Sequence, residues 1–140
     1  MKSKILALLR EREDYVSGQE LCRRFGVSRT AVWKAIGQLK KEGYRIEAAQ
    51  NRGYLLASEN LVPEHEVYGL HELESRMDTR WAGHPVLFYG ELPSTNLQAK
   101  LDAENGAAQG TLIVAEMQTA GRGRRGRTWC SPAGTNVYFT

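Results

Sequence analysis

The chain has 140 residues, of which 41% are hydrophobic and 25% are charged, a composition that is typical of folded globular proteins and excludes an intrinsically disordered chain. It contains no apolar run long enough to cross a membrane, and its start lacks the pattern of a signal peptide. Cys22 and Cys130 lie far apart without metal-ligand spacing, which favours a reduced, cytoplasmic protein with no protein-held metal.

The net charge of +3 is the sum over three segments, of which the first and third are basic and the second is acidic. Residues 1–60 hold 12 Lys and Arg against 7 Asp and Glu, and residues 61–121 hold 3 against 9. Residues 122–140 hold four arginines and no acid. Two basic segments that flank an acidic one predict two anionic partners, with ordinary surface charge as the alternative.

Three helical patterns follow one another at the start of the chain. The first has apolar residues on one face over Ile5–Leu9. The second begins with a capping box made by Ser17 and Glu20. The third can be capped by Ser28 and ends before Gly43, which suits a left-handed C-cap.

Two short strands, Tyr44–Glu47 and Tyr54–Leu56, are predicted next, joined by a turn over residues 50–53. Three helices and a hairpin in this order predict a winged helix-turn-helix, whose third helix fits the major groove of DNA. The residues expected to contact DNA lie on that helix and at the tip of the wing: Ser28, Arg29, Thr30, Trp33, Lys34, Lys40 and Arg52. A protein-interaction module is the alternative, and Trp33 suits packing against the wing as well as a DNA contact.

Three segments are predicted: a winged-helix domain over residues 1–57, a connector over residues 58–83 and a second domain over residues 84–140. Within the connector, Glu64–Leu70 suits a short acidic helix, and Leu73–Gly83 is expected to be irregular.

The second domain begins with a predicted strand, Val86–Tyr89, that leads into Ser94, Thr95 and Asn96 at the start of a helix. A helix N-terminus offers free amides, and the three polar side chains can add hydrogen bonds to a polar ligand group. A simple helix cap is the alternative. Two further strands are predicted over residues 111–115 and 136–139.

Between those strands lies a loop rich in glycine and arginine, predicted over Gln118–Trp129. Its glycines at 121, 123 and 126 are expected to allow positive φ and close approach to a ligand. Its arginines can neutralise phosphate oxygens, so a mobile loop that closes over a nucleotide is expected. No Gly-Lys-Ser/Thr ends the run, which excludes a Walker loop, and a solvated basic loop is the alternative.

The run Gly121-Arg122-Gly123-Arg124-Arg125-Gly126-Arg127, followed by Trp129, resembles the ligand-binding loop of biotin protein ligases. Ser94-Thr95-Asn96 and Gln118 are similar to two further elements of that family. The preceding winged helix is similar to the bifunctional members that also repress biotin genes. The resemblance implies an α+β protein, in which a winged helix-turn-helix precedes the first part of a class II synthetase-like mixed α/β catalytic domain.

The resemblance also implies an activity: condensation of biotin with ATP and Mg²⁺ to biotinyl-5′-adenylate, then transfer to a lysine of the biotin carboxyl carrier protein. Adenylate-loaded members dimerise on operator DNA. By the same resemblance, Arg122 and Arg124 would be catalytic, and Arg125 and Arg127 would tune loop order. The residues implied to bind biotin or the adenylate are Ser94, Thr95, Asn96, Gln118, Gly121, Arg122, Gly123, Arg124, Arg125, Arg127 and Trp129.

The chain stops at Thr140, before the family's later lysine-containing segment, so we expect an N-terminal portion that is inactive alone. Two other functions stay open on the sequence. One is a transcriptional regulator that senses biotin without ligating it. The other is a helix-turn-helix module whose basic loop binds nucleic acid.

Overall fold

The computed structural model describes residues 1–57 and 69–140. It divides into two compact units, Met1–Arg76 and Met77–Thr140. Most of the predicted helix Glu64–Leu70 lies outside the described residues, and the predicted domain boundaries stay predictions. No helix in the described ranges combines the length and apolar character needed to cross a membrane.

The first unit contains the predicted three helices and hairpin. Its elements are α1 (Lys2–Glu11), α2 (Gly18–Phe25), α3 (Arg29–Lys41), β1 (Ile46–Ala49), β2 (Gly53–Leu56) and α4 (Leu70–Arg76). The hydroxyl of Ser17 accepts a hydrogen bond from the Glu20 amide at 3.1 Å, and that of Ser28 accepts one from the Ala31 amide at 3.2 Å. Both predicted N-cap bonds are therefore present, and each satisfies an amide that has no partner within its helix. The capping box is only half formed, because the Glu20 carboxylate accepts from Arg12 at 3.4 Å and not from the Ser17 amide.

One apolar cluster fills the first unit. It contains twelve residues that are at most 5% exposed, contributed by α1, α2, α3, the segments beside them and β1. Val16 extends the hairpin by exchanging two backbone hydrogen bonds with Tyr54, at 2.8 and 2.9 Å. Gly53 is required there, since its φ is +115° and a Cβ would lie 2.1 Å from the Val16 carbonyl oxygen.

Helix α4 corrects the expectation that Leu73–Gly83 is irregular throughout, because it continues to Arg76. Its Glu72 carboxylate accepts hydrogen bonds from the guanidinium of Arg10, from Arg76 Nε at 2.6 Å and from the Tyr44 hydroxyl at 3.0 Å. Burial opposes ionisation of Glu72, but these three bonds outweigh it and lower the pKa of Glu72. Burial and the bond to Glu72 raise the pKa of Tyr44.

The second unit is a four-stranded mixed sheet with one helix. Its elements are β3 (Val86–Leu92), α5 (Thr95–Glu104), β4 (Leu112–Arg122), β5 (Thr128–Ser131) and β6 (Tyr138–Phe139). Strands β3 and β4 are parallel and joined through α5, whereas β5 and β6 both run antiparallel to β4. Together with the winged-helix unit, this sheet confirms the predicted α+β class.

Strand β4 is longer than predicted, and this changes the interpretation of the arginine-rich loop. Instead of ending at Ala115 it continues to Arg122, so that Gly121 and Arg122 pair with Trp129 and Thr128 of β5. A short 3-10 turn over Arg124–Gly126 closes the hairpin, and the Gly123 amide donates to the Arg127 carbonyl at 2.7 Å. The segment predicted as a loop over Gln118–Trp129 therefore forms a β-hairpin. The third predicted strand shortens to Tyr138–Phe139.

Candidate functional site

The second unit contains an open cavity of about 670 Å³ where β3 ends, α5 begins and the β4–β5 hairpin turns. Three structural sources contribute to its wall: the N-terminus of α5, the hairpin and β6. The lining residues are Ser94, Thr95, Asn96, Gln118, Arg122, Gly123, Arg124, Arg127, Thr128, Trp129, Val137, Tyr138 and Phe139. Most of the predicted ligand-binding residues are thus brought to one place.

The start of α5 places two buried hydroxyl groups at the cavity. Ser94 and Thr95 are each only 4% exposed. Ser94 occupies the N-cap position, yet its side chain accepts no hydrogen bond from the helix. A simple helix cap therefore does not account for Ser94, since a capping hydroxyl would bond an amide of the first turn.

Gln118 connects the helix start to the hairpin. Its Oε1 accepts hydrogen bonds from the Thr95 amide at 2.8 Å and from the Thr95 hydroxyl at 3.2 Å. Its Nε2 donates to the Ser131 hydroxyl at 3.1 Å. The expectation of free amides at this helix start is therefore wrong for Thr95, whose amide already has a partner.

Three arginines give the cavity a positive wall. Arg122, Arg124 and Arg127 line it together with Trp129, which is 60% exposed. Within the described ranges, no carboxylate lies within ion-pair distance of these guanidinium groups. Guanidinium groups without a protein counter-charge can bind a carboxylate or a phosphate, often through two parallel hydrogen bonds.

Two predicted ligand residues lie outside the cavity lining. Gly121 approaches its own hairpin partner: an added Cβ would lie 2.6 Å from the Trp129 carbonyl oxygen and 2.8 Å from Ser131 Oγ. Arg125 lies in the turn with φ of 59°. Of the glycines expected to have positive φ, only Gly126 does, at 73°. Gly121 is a residue of β4, and Gly123 lies extended, with φ of -92°, between β4 and the 3-10 turn.

Sequence reasoning missed five residues at or beside the cavity: Thr128, Ser131, Val137, Tyr138 and Phe139. Ser131 is 4% exposed and Tyr138 is 7% exposed. Successive side chains of a strand point to opposite faces of the sheet, so alternate residues of β5 and β6 share a face. Which of them face the cavity follows only from the pairing of these strands with β4, which the sequence does not give.

The first unit presents a separate basic surface. Arg29, Thr30, Trp33, Lys34 and Lys40 are all exposed on α3. Trp33 is 67% exposed, so it is not buried against the wing. Ser28 uses its hydroxyl to cap α3, which gives it a structural role at the helix start.

Arg52 lies in the wing turn and already has partners. Its Nη2 is 3.0 Å from Asp14 Oδ1, and its guanidinium carbon lies 4.2 Å from the centre of the Tyr15 ring. The Tyr15 hydroxyl donates to Glu47 at 2.8 Å, and this bond is the main cause that raises the pKa of Tyr15. The ion pair is exposed on both sides, so an anion from outside the protein can compete with Asp14 for Arg52.

Two protein-family models match separate parts of the chain. Residues 2–55 match the HTH domain family, and residues 90–140 match the biotin/lipoate A/B protein ligase family. The order of these two matches along the chain agrees with the order of the basic surface on α3 and the cavity of the second unit.

Two curated relatives are similar over nearly the whole chain. "Bifunctional ligase/repressor BirA" of Bacillus subtilis (strain 168) is 40% identical over 129 residues, which cover 91% of this chain and 38% of the relative. The protein of the same name from Escherichia coli (strain K12) is 35% identical over 138 residues, covering 98% of this chain and 39% of the relative. The chain therefore spans less than two fifths of these relatives.

Among solved structures, a biotin protein ligase from Leishmania major in complex with biotinyl-5-AMP is 42% identical over the aligned region. The alignment covers 39% of this chain and 22% of that chain, with a TM-score of 0.33.

Proposed function

We propose, from the premise that this chain is similar throughout to the N-terminal portion of bifunctional ligase/repressors, that the complete protein ligates biotin and represses biotin genes. The observation that carries the proposal is the cavity, where Ser94, Thr95 and Gln118 lie together with three arginines that have no ion pair within the described ranges. Such a cavity suits a ligand with a polar head and an anionic end.

The proposed reaction joins two anions. A carboxylate oxygen of biotin attacks the α-phosphorus of ATP, the bond from that phosphorus to the bridging oxygen breaks, and pyrophosphate leaves. Arg122 and Arg124 neutralise the carboxylate and the phosphate, which otherwise repel each other. A lysine amine of the carrier protein then attacks the acyl carbon, AMP leaves and the nitrogen loses its proton.

Biotinyl-5′-adenylate, the mixed anhydride formed in the first step, hydrolyses readily, so a site that excludes water protects it. We propose that the hairpin from Gly121 to Trp129 orders against the bound adenylate and shields it, with Trp129 covering the ligand. We propose that Mg²⁺ binds together with the nucleotide, through the phosphate oxygens of the nucleotide. Residues 1–57 and 69–140 contain no group of three His, Cys, Asp or Glu side chains arranged to hold a metal.

The proposed repressor activity belongs to the first unit. Arg29, Thr30, Trp33 and Lys34 would lie in the major groove, with Lys40 and Arg52 on phosphates. We propose that the adenylate-bound protein dimerises in the cytoplasm and places two α3 helices on a palindromic operator, as the two-fold symmetry of a homodimer requires.

The ligase proposal is tested by mass spectrometry for biotinyl-5′-adenylate after biotin and MgATP are mixed with the complete protein. Arg124→Gly should weaken biotin affinity and shorten the adenylate lifetime. Arg125→Gly is the matched control, since Arg125 lies outside the cavity and its left-handed backbone suits glycine. No adenylate from the complete protein would favour the regulator that only senses biotin, and equal behaviour of the two variants would refute the cavity assignment.

The repressor proposal is tested by titrating operator DNA over a range of salt concentrations. Arg29→Ala and Lys34→Ala should each weaken binding, and each lost phosphate contact should lower the salt slope by about one. Lys4→Ala, an exposed change on α1, is the control and should leave both quantities unchanged. Unchanged binding in both α3 variants would refute the assignment of α3 as the recognition helix.

A further inference from the structure

We propose that Ser131 is a positioning residue, which fixes the orientation of the Gln118 side chain so that the cavity presents an N–H group to the ligand. The inference rests on the proposed function for the identity of the ligand. It adds a requirement on that ligand: the atom that faces Gln118 must be a hydrogen-bond acceptor.

The backbone amide of Thr95 determines one end of the Gln118 side chain. An amide N–H can only donate, so the group that it contacts at 2.8 Å must be the Gln118 oxygen. The Thr95 hydroxyl, at 3.2 Å from the same oxygen, can occupy the second lone pair. The Gln118 oxygen is then fully used within the protein, and its NH₂ group must point away from Thr95.

Ser131 receives that NH₂ group. It is the direct partner of Gln118 in the pairing of β4 with β5, and its hydroxyl lies 3.1 Å from Gln118 Nε2. The Ser131 hydroxyl lies 3.4 Å from the Trp129 carbonyl oxygen, to which it can donate, leaving its own oxygen free to accept from Gln118. The chain of donors and acceptors therefore has one consistent direction, from Thr95 through Gln118 and Ser131 to Trp129.

An irregularity in the pairing sets up this contact. Between the pairs Gln118–Ser131 and Gly121–Trp129, β4 advances by three residues while β5 advances by two, which is a β-bulge. Bulges change the direction in which strand side chains point and are frequent beside binding sites. Ser131 is 4% exposed, so the hydroxyl is held where water cannot readily replace it.

One N–H of Gln118 remains for the ligand. Its NH₂ group has two hydrogens, the bond to Ser131 uses one, and no second acceptor lies within bonding distance among the described residues. Because Gln118 lines the cavity, that hydrogen favours a carbonyl or other acceptor atom of the ligand over a donor. Without Ser131, the NH₂ group would lose the partner that holds it in this direction.

The test uses the complete protein and a double-mutant cycle of Ser131→Ala and Gln118→Ala, with biotin KM and kcat measured for adenylate formation. Ser131→Ala should raise KM about tenfold, the effect of about 1.4 kcal/mol of binding free energy, and change kcat less than twofold. In the Gln118→Ala background the same change should have no further effect, because Ser131 then has nothing to orient. Equal effects in both backgrounds would refute the proposal.

Gln118→Glu tests the donor itself. Glutamate keeps the acceptor for the Thr95 amide but has no N–H to offer, so it should bind biotin methyl ester, which lacks the anionic end, more weakly than wild type. Unchanged ester binding would overturn the inference even if Ser131→Ala does not fold. Wild-type protein that forms no adenylate would refute the proposed function instead, and ester binding would still decide the role of Gln118.

Discussion

The two units use their buried residues in different ways. In the first unit the buried cluster is wholly apolar except for one tyrosine hydroxyl, and it includes twelve residues. In the second, six of the described apolar residues are buried, of which only Leu92, Ile113 and Ala115 form a cluster, and three polar side chains, Ser94, Thr95 and Ser131, are buried as well. Exposed aromatic side chains occur in both units: Trp33 is 67% exposed in the first, and Trp129 and Phe139 are 60% and 65% exposed in the second.

This contrast predicts that stability and ligand binding depend on different residues in the first unit but on the same residues in the second. Helices α1, α2 and α3 of the first unit are held by apolar packing, so the candidate DNA contacts on the outer side of α3 are exposed and can be substituted without disturbing the core. In the second unit the residues that build the cavity also satisfy one another's hydrogen bonds, as Gln118 does for Thr95 and Ser131. A substitution there is expected to change binding and folding together, whereas in the first unit the two should be separable.

The largest effect is expected in the first unit's core. Leu21 is fully buried in α2, and Leu21→Ala should lower the free energy of unfolding by about 2–5 kcal/mol, since it removes apolar contacts and leaves a cavity. Urea unfolding followed by far-UV circular dichroism measures this change. Leu97→Ala, at a site 40% exposed on α5, is the control and should cost far less. Similar losses in both variants would remove the contrast between the units.

The next effect tests the hairpin of the second unit. Gly121→Ala should lower the free energy of unfolding by about 1–3 kcal/mol, because the new Cβ would lie 2.6 Å from a backbone oxygen that cannot easily move. It should also weaken biotin binding, since β5 carries Ser131 and Trp129. Gly90→Ala is the matched control, as no atom lies within 4 Å of its added Cβ. Retained biotin affinity in Gly121→Ala would show that the hairpin pairing does not shape the cavity.

The sequence predicted the first unit better than the second for a physical reason. Helix caps such as Ser17 and Ser28, and the apolar stripes between them, act over three or four residues and can be read locally. The end of β4 could not be read in this way, because Gly121 and Arg122 become strand residues only through pairing with Trp129 and Thr128. The Ser-Thr-Asn element and the arginines were found, but their shared cavity depends on that pairing.

Helix α4 shows the same limit within the first unit. Its Glu72 interacts with Arg10 and Tyr44, which are 62 and 28 residues away along the chain. A segment of only seven residues has little helical stability of its own, because short isolated helices are marginal in water. The bonds from Arg10 to Glu72 and Ser75, together with the local Glu72–Arg76 pair, account for the helix that the sequence analysis missed.

The contacts of Glu72 predict a change in the free energy of unfolding that is intermediate between the other predictions. Glu72→Gln should lower the free energy of unfolding by about 1–2 kcal/mol at neutral pH, because it removes the charge that Arg10 and Arg76 contact. The pKa of Glu72 is lowered by folding, so its contribution is present above the ordinary value of 4.5 and is lost as pH falls through the lowered pKa. Glu72→Gln should remove that part of the acid sensitivity.

Urea unfolding at pH 7 and at several values below pH 4.5 measures this difference. Glu42→Gln is the control, since Glu42 forms an ion pair with Lys2 at 2.6 Å but is 38% exposed, and exposed pairs contribute about 1 kcal/mol or less. A wild-type protein and a Glu72→Gln variant with parallel stability profiles in acid would contradict the role given to Glu72.

The smallest effect on stability, and the sharpest separation of stability from binding, is expected at the tip of the wing. Asp14 is 81% exposed and Arg52 is 61% exposed, so Asp14→Asn should change the free energy of unfolding by about 0.5 kcal/mol or less. It should nevertheless raise affinity for operator DNA, because it removes the carboxylate that competes with phosphate for Arg52.

The control is the Arg52→Ala variant, which should bind operator DNA more weakly and reduce the salt slope by about one. In this background Asp14→Asn should retain only the general effect of one less negative charge. If Asp14→Asn raises affinity equally with and without Arg52, long-range charge alone accounts for the gain, and the Asp14–Arg52 pair does not restrain the wing.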